Sequence, residues 1–277
     1  MITDIQPKSE LLKKHITSFN MFERREDFHL RFFAFPQYGS TLEIVENASI
    51  TRTVTTMKLR PHLKKPGTVK TYAIEIFGKY TEPVFLNYEG YLNGFTINFK
   101  PLGINYFFDR PYLEIAPKNF QKFSHPDWKK FATDLFDLTK FEDRIEFAEF
   151  FLEGLFQEIH IPEIEKAVEV ILKDPAISID ELAKACHMNT RSLLRKFNKY
   201  VGCAPSVYKR IVRFRKAIDF SSIKEKELNY MDICYNNNFF DTSHFRKEFL
   251  KLTHQNPTSF FKTISQIGNH QFPYKLM

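Results

Sequence analysis

The sequence predicts an α+β protein, in which a β-rich N-terminal region precedes an all-α region of two helix-turn-helix units joined by a long helix. Three observations lead to this prediction. Apolar and polar residues alternate within the first 126 residues, helical spacing begins at Asp127, and the last third contains an internal repeat. A period of two residues is typical of strands, whereas a period near 3.6 residues is typical of amphipathic helices.

Length and composition limit what the chain can be. At 277 residues it is more naturally two domains than one. It has no run of about 18 apolar residues and no apolar signal-peptide core at its start, so we expect a cytoplasmic protein with no membrane partner. The cysteines have no metal-ligand spacing and are expected to be buried thiols: Cys186, Cys203 and Cys234.

Residues 1–126 are predicted to form the β-rich domain. The segment 94–99 (GFTINF) alternates apolar with polar residues, which predicts a half-buried strand, and 71–78 (TYAIEIFG) has a similar β-branched and aromatic composition. No metal site is predicted, because three histidines have no second ligand at metal spacing. These histidines are His29, His62 and His125.

Residues 127–160 are predicted to be helical, as a linker or a dimerisation segment. Apolar residues recur at helical spacing over 128–138 and again over 145–155. The second stripe is wider than one helix face because of Phe147, Phe150 and Phe151. Such a helix is either enclosed by its own domain, which we favour, or partly covered by a partner chain.

The net charge of +7 is concentrated in the C-terminal third. Nine Lys or Arg residues and no Asp or Glu lie between His187 and Lys216. A basic block within an apolar-patterned segment indicates a polyanionic partner. The alternative is a solvated helix face.

The internal repeat pairs SIDELAKACHMNTRSLLRKFNKYVGCAPSVYK (178–209) with NYMDICYNNNFFDTSHFRKEFLKLTHQNPTSFFK (229–262). Pro205 matches Pro257 at an offset of 52 residues, whereas the offset before the turn is 51. Each copy is predicted to be helix, tight turn, helix. In the first copy, a Ser-x-x-Glu capping box opens the first helix, whose inner face is assigned to Leu182, Ala183, Ala185 and Cys186.

The caps of the second helices follow the same logic. Asn189 and Asp241 are expected to cap them at the N-terminus, and Gly202 to end the first of them. The turn of the second copy contains three asparagines. A tight turn requires a residue with positive φ, and Asn, Asp and His tolerate this conformation best after glycine. We therefore assign positive φ to Asn238, with Phe239 in the core behind it.

Residues 162–264 resemble the DNA-binding region of the AraC/XylS transcriptional regulators, which has two helix-turn-helix units joined by a long helix. The resemblance rests on ELAKACHMNTRSLLRKF, on Pro205 with Tyr208, on the run Arg213, Arg215 and Ala217, and on DICYNNNFFDTSHFRKEF with Pro257. The chain departs from the family where glycine is usual, at His187, Asn238 and His254. These departures imply strained or altered turns.

The resemblance implies that the second helix of each unit enters a major groove of double-stranded promoter DNA. The base-reading residues are then Arg191, Leu194 and Arg195 in the first unit and Thr242, Ser243, Arg246 and Lys247 in the second. The residues expected to bind phosphates are Lys196, Lys199, Lys209 and Lys251. Arg195 is the strongest candidate because its planar fork matches guanine O6 and N7, whereas Lys247 has no such fork.

The resemblance also implies a role for the N-terminal domain, which in this family is often a cupin-like β-barrel for ligand sensing or dimerisation. The segment 94–111 looks like part of such a sensor domain. We therefore predict a transcription activator that works with RNA polymerase, with domains at 1–126, 127–160 and 162–264 and a tail at 265–277. No catalytic residue and no cofactor are predicted. An unknown small-molecule effector and a homodimer are both open.

Two other classes of protein remain as alternatives. An enzyme with a similar DNA-binding module is disfavoured, because the sequence has no reactive Cys context, no Gly-rich phosphate loop and no paired carboxylates. An interaction protein that binds RNA or an acidic partner through its basic surface is kept open by the altered turn glycines. Strong sequence preference for duplex DNA would exclude it.

Overall fold

The structure, a computed structural model, describes residues 2–24, 29–46, 48–53, 56–61, 71–89, 92–117, 120–223, 233–234, 239, 241–263, 265–267 and 272–276. The chain forms two compact units. Unit 1 comprises Met1–Phe32, Gly39–Gly78 and Phe85–Ile159, and unit 2 comprises Phe33–Tyr38, Lys79–Val84 and His160–Met277. The predicted fold class, a β-rich region followed by a helical one, is confirmed.

Unit 1 is built on an antiparallel sheet with the strand order β1-β2-β9-β4-β7-β10. Beside this sheet, β5 pairs with β6 antiparallel, and β6 pairs with β8 in parallel. The strands in the first half of the chain are β1 (Ile2–Ile5), β2 (Ile16–Arg24), β3 (His29–Ala34), β4 (Ser40–Glu46), β5 (Ala48–Thr53), β6 (Thr56–Pro61), β7 (Tyr72–Phe77), β8 (Val84–Glu89), β9 (Leu92–Phe99) and β10 (Phe120–Lys122).

Strand β9 differs from its prediction, because both of its faces are buried. Its apolar face lies in the core, as expected, but Thr96 and Asn98 on the other face are also buried. The Asn98 side-chain amide donates to Ser18 Oγ at 3.3 Å and also to Asn20. These bonds satisfy polar groups that water would otherwise solvate. The alternation therefore located the strand correctly but did not reveal the cover over its polar face.

The helices of unit 1 are α1 (Glu10–His15), α2 (Tyr112–Ile115), α3 (Pro126–Asp137) and α4 (Phe141–Leu155), with a 3-10 helix at Gly103–Phe107. Aromatic rings join α3 to α4. The Phe131 ring centroid lies 5.6 Å from that of Phe147 and 4.2 Å from that of Phe151. These two rings of the wide stripe are half-buried against the core of their own unit, whereas the Phe150 side chain is 77% exposed.

The helices of unit 2 are α5 (Pro162–Lys173), α6 (Ile179–Ala185), α7 (Thr190–Val201), α8 (Pro205–Ile223), α9 (Thr242–Thr253) and α10 (Pro257–Thr263). The segment that the sequence suggests as a tail contains β11 (Ser265–Ile267) and β12 (Phe272–Leu276), which pair antiparallel. No helix among the described residues is both long and apolar enough to span a membrane.

Two segments from the first third of the chain, 33–38 and 79–84, belong to unit 2. The Phe35 ring centroid lies 4.9 Å from that of Phe260 on α10. Tyr38 donates its hydroxyl to Asp219 on α8 at 3.0 Å, and Lys79 donates to the Tyr38 carbonyl. The helical unit is therefore completed by residues from far earlier in the chain.

Candidate nucleic-acid interface

The first helix-turn-helix unit has the predicted caps. The Glu181 amide donates to Ser178 Oγ at 3.2 Å, and the Ser178 amide donates to Glu181 Oε2 at 3.0 Å, which completes the capping box of α6. Helix α7 begins after Asn189, whose side-chain oxygen accepts from the Ser192 amide at 2.8 Å. It ends at Gly202, where φ is 81°. Local sequence signals therefore specify both ends of the first recognition helix.

The turn between α6 and α7 places His187 in the left-handed conformation, with φ of 52°. This is a position where the resembled family usually has glycine. A side chain with a Cβ in this conformation costs about 1–2 kcal/mol. The Met188 amide, which donates to the Ala183 carbonyl at 2.9 Å, closes the turn in spite of this strain.

The core beneath α6 and α7 differs from the prediction at one position. Leu182, Ala183 and Cys186 are buried as assigned, but Ala185 is exposed. At 3.6 residues per turn, the three buried positions share one face of the helix, and Ala185 lies to the side of it. The assignment of Ala185 to the inner face is therefore wrong.

The second helix-turn-helix unit has an equivalent recognition helix. Helix α9 begins after Asp241, whose carboxylate accepts from the His244 amide at 2.6 Å, and ends at His254 with φ of 55°. Phe239 is buried, and its ring centroid lies 4.9 Å from that of Phe245. Asn238, to which the sequence assigns positive φ, lies outside the described residues.

The joining helix α8 packs against both units. It has 19 residues, which corresponds to a length of about 28 Å. The Tyr208 ring centroid lies 5.7 Å from that of Phe197 on α7, and the Phe214 centroid lies 5.1 Å from that of Phe249 on α9. Aromatic contacts therefore anchor the first turn of α8 to one recognition helix and the middle of α8 to the other.

The predicted base-reading residues all lie on exposed faces. On α7 these are Arg191, Leu194 and Arg195, and on α9 they are Thr242, Ser243, Arg246 and Lys247. Leu194 is 40% exposed although it is apolar. An exposed leucine beside two arginines can contact the methyl group of thymine while the arginines bind guanine.

The sequence did not single out Leu250, which is 55% exposed on α9. It follows Ser243 by seven residues and therefore continues the exposed face of the second recognition helix. The helical period could have identified Leu250 as exposed, because Phe245 and Phe249 occupy the buried face of the same helix. Each recognition helix thus presents one exposed leucine among basic residues.

The four lysines expected to bind phosphates have different surroundings. Lys199 and Lys251 are exposed, and Lys196 Nζ lies 3.7 Å from Glu163 Oε2. Lys209 is held within the protein, because its ammonium donates to the carbonyls of Ala176, at 3.5 Å, and Ile177. Its partial burial also lowers its pKa. A phosphate contact by Lys209 would have to compete with these carbonyl groups.

The basic residues of this block fall into two groups, which differ in exposure and in contacts. Arg191, Arg195 and Lys199 on α7 are exposed, whereas several members on α8 bind groups of the protein itself. Arg215 is only 2% exposed, and Arg210 Nε lies 2.8 Å from Glu248 Oε2 on α9. Sequence alone could not separate these groups, since charge counts do not report burial. The exposed basic surface is therefore smaller than the composition suggests.

Comparison with known proteins supports the same interpretation of the C-terminal region. Residues 182–263 match the sequence profile of a family described as a helix-turn-helix domain. The search of curated proteins finds no match.

Solved structures of ToxT from Vibrio cholerae are similar to this chain. One, at 1.65 Å resolution, is 13% identical with a TM-score of 0.46, over 89% of this chain and 98% of ToxT. Another, of ToxT with a bound unsaturated fatty acid, is 11% identical with a TM-score of 0.43, over 87% of this chain and 96% of ToxT.

The domain match coincides with the two capped helix-turn-helix units and the helix that joins them. The predicted relationship is therefore confirmed for this part of the chain. Residues 182–263 therefore form a helix-turn-helix domain of the AraC type.

Proposed function

We propose that this protein is a sequence-specific activator that inserts α7 and α9 into successive major grooves of promoter DNA. The observation that carries the proposal is the pair of exposed, basic recognition helices on one joining helix. The joining helix α8 is about 28 Å long, which is comparable to the distance of about 34 Å between successive major grooves on one face of the duplex. A single chain can therefore read two motifs.

The residues divide into two roles under this proposal. Base reading belongs to the exposed face of each recognition helix, with Arg195 selecting guanine and Leu194 contacting a thymine methyl group. Phosphate binding belongs to lysines such as Lys199 and Lys251, which add affinity that depends on salt but not on sequence.

Unit 1 is assigned the sensing of a signal or the assembly of the regulator, with RNA polymerase as the partner in activation. The exposed Phe150 on α4 is consistent with a homodimer through the helices at 127–160. Sedimentation across a range of protein concentrations tests this assembly. A mass that stays that of one chain at every concentration would exclude it.

Selection from a random-sequence duplex library at two salt concentrations tests the proposed function. We expect enrichment of sites with two short motifs about one helical turn apart. The Arg195→Ala variant should not enrich the motif read by α7. Binding that falls with salt but enriches no motif would contradict the proposal and favour a protein that binds RNA or an acidic partner.

A further inference from the structure

Three cations of the joining helix bind main-chain carbonyls of the segment that leads into the first helix-turn-helix unit. They are spaced along one face of α8, and their acceptors lie within 173–177, where α5 ends and the loop to α6 begins. Arg213 Nη1 donates to the Pro175 carbonyl at 3.2 Å, and Lys216 Nζ donates to the Lys173 carbonyl at 3.1 Å. The third cation is Lys209, described above. A cation is favourable at Lys173, because the last carbonyls of a helix lack partners within it and carry partial negative charge.

The same helix binds a carboxylate of the second unit. Glu248 on α9 is only 7% exposed. Its Oε2 atom lies 2.8 Å from Arg210 Nε and 3.9 Å from Arg213 Nη2. The Arg213 guanidinium also lies 5.9 Å from the centroid of the Phe239 ring, in the turn of the second unit. Glu248 therefore fixes α9 to α8 from a site that is nearly closed to water.

Arg213 differs from Lys209, Arg210 and Lys216 because it contacts both the segment that leads into the first unit and the second unit. Arg210 reaches Glu248, whereas Lys209 and Lys216 reach the carbonyls beyond α5. Arg213 holds a carbonyl with one terminal nitrogen and faces the carboxylate with the other. A guanidinium can do this because its donors form a planar fork, which a lysine ammonium does not have.

We propose that Arg213 is the positioning residue that sets the separation and rotation of the two recognition helices, and therefore the motif spacing that the protein accepts in DNA. This inference rests on the proposed function. Arg213 need not touch the DNA, since it acts through the orientation of α7 and α9 relative to α8. Its side chain is 13% exposed, which is consistent with a role inside the domain.

The test measures the affinity for the operator selected by the wild-type protein and for duplexes with one to three base pairs inserted or deleted between its motifs. Each inserted pair moves one motif by about 3.4 Å and turns it by about 35°. We expect the wild-type protein to lose at least about tenfold in affinity at one inserted pair, since base contacts of one helix are lost. Arg213→Met should lose less than about threefold, while binding a single isolated motif as wild type does.

Lys216→Met provides a matched control on the same helix, because it removes a contact to the Lys173 carbonyl alone. It should keep the spacing preference of the wild-type protein. Arg213→Lys keeps the charge but not the planar fork, so it should also weaken the preference for one motif spacing. This variant replaces Arg213→Met if that protein does not fold.

Three results would overturn the proposal. One is an unchanged spacing preference in both Arg213 variants. Another is an equal loss of affinity for every duplex together with a smaller salt dependence, which would make Arg213 a phosphate contact. The third is failure of the wild-type protein to select two motifs, which removes the proposed function as well and is seen before any variant is measured.

Discussion

The two helix-turn-helix units share a plan but are stabilised in different ways. The first recognition helix ends at Gly202, which adopts the left-handed conformation without cost, whereas the second ends at His254 in a similar conformation. The joining helix binds neutral carbonyls of the segment that leads into the first unit, whereas it binds the carboxylate of Glu248 in the second. The two units therefore have the same arrangement of helices but are stabilised by different interactions. The second unit depends more on charge and carries more backbone strain at its helix end.

Removal of the Glu248 carboxylate should have the largest effect on stability. Glu248→Ala leaves Arg210 and Arg213 without their anionic partner in a nearly closed site, so we expect a loss of about 2–4 kcal/mol in the free energy of unfolding. Urea unfolding of the full chain, followed by circular dichroism, measures it.

Glu169→Ala is the matched control for this prediction. Glu169 pairs with Lys166 and Lys173 on an exposed face of α5, where an ion pair contributes at most about 1 kcal/mol. Equal losses in the free energy of unfolding would show that Glu248 contributes no more to stability than an exposed ion pair does.

The two recognition helices should also differ in how much one side chain contributes to specificity. Arg195→Ala should reduce the affinity for the selected operator by about 10- to 100-fold, which corresponds to a lost bidentate contact of about 1–3 kcal/mol. Lys247→Ala should cost less, because an ammonium has no planar fork. Titration of both variants against the operator and a scrambled duplex provides the comparison, and a larger loss for Lys247→Ala would reverse the assignment.

The buried amine of Lys79 should make the stability of the protein depend on pH. Burial lowers the pKa of Lys79 to about 7, from 10.5, and its Nζ lies 5.9 Å from the centroid of the Tyr208 ring on α8. Between pH 7 and 9 the unfolded chain keeps this proton while the folded chain releases it. The free energy of unfolding should therefore rise with pH across this window, by about 2 kcal/mol.

Neighbouring groups stay neutral in this window, since burial raises the pKa of Cys203 to about 11 and that of Tyr208 well above its usual value. Lys79→Met should raise stability at pH 7 and flatten its rise toward pH 9. Urea unfolding at pH 7, 8 and 9 measures this. A wild-type protein whose stability falls over the same interval would contradict the assignment of a neutral amine.

The smallest effects should come from the helix ends that distinguish the two units. His254→Gly should stabilise the protein by about 1 kcal/mol, because glycine relieves the left-handed strain, and Gly202→Ala should destabilise it by a similar amount. Thermal unfolding of both variants gives the two signs. A destabilised His254→Gly would show that the histidine side chain makes contacts that outweigh its backbone strain.

Local signals predicted much of the helical unit. The capping box at Ser178, the caps at Asn189 and Asp241 and the end of α7 at Gly202 were all readable, because each depends on residues within four positions of one another. The strained turn at His187 was also expected from a glycine position of the family.

Features that depend on distant parts of the chain were not predictable. The inclusion of residues 33–38 and 79–84 in unit 2 comes from contacts such as that of Tyr38 with Asp219, which no local period encodes. For the same reason, the sequence counted Arg213 and Arg215 in a basic block, whereas the structure places Arg213 mostly and Arg215 almost wholly inside the protein. The exposure of the candidate base-reading residues follows from the helical period, whereas their role is implied by the family resemblance.

The most direct test of the account measures whether each recognition helix reads its own motif. Affinities of the wild-type protein, Arg195→Ala and Lys247→Ala are compared on the selected operator and on two versions in which one motif or the other is scrambled. We expect scrambling of one motif to cost Arg195→Ala less affinity than it costs the wild-type protein, and scrambling of the other motif to cost Lys247→Ala less. Loss of sensitivity to the same motif in both variants, or to neither, would contradict the reading of two grooves by two helices.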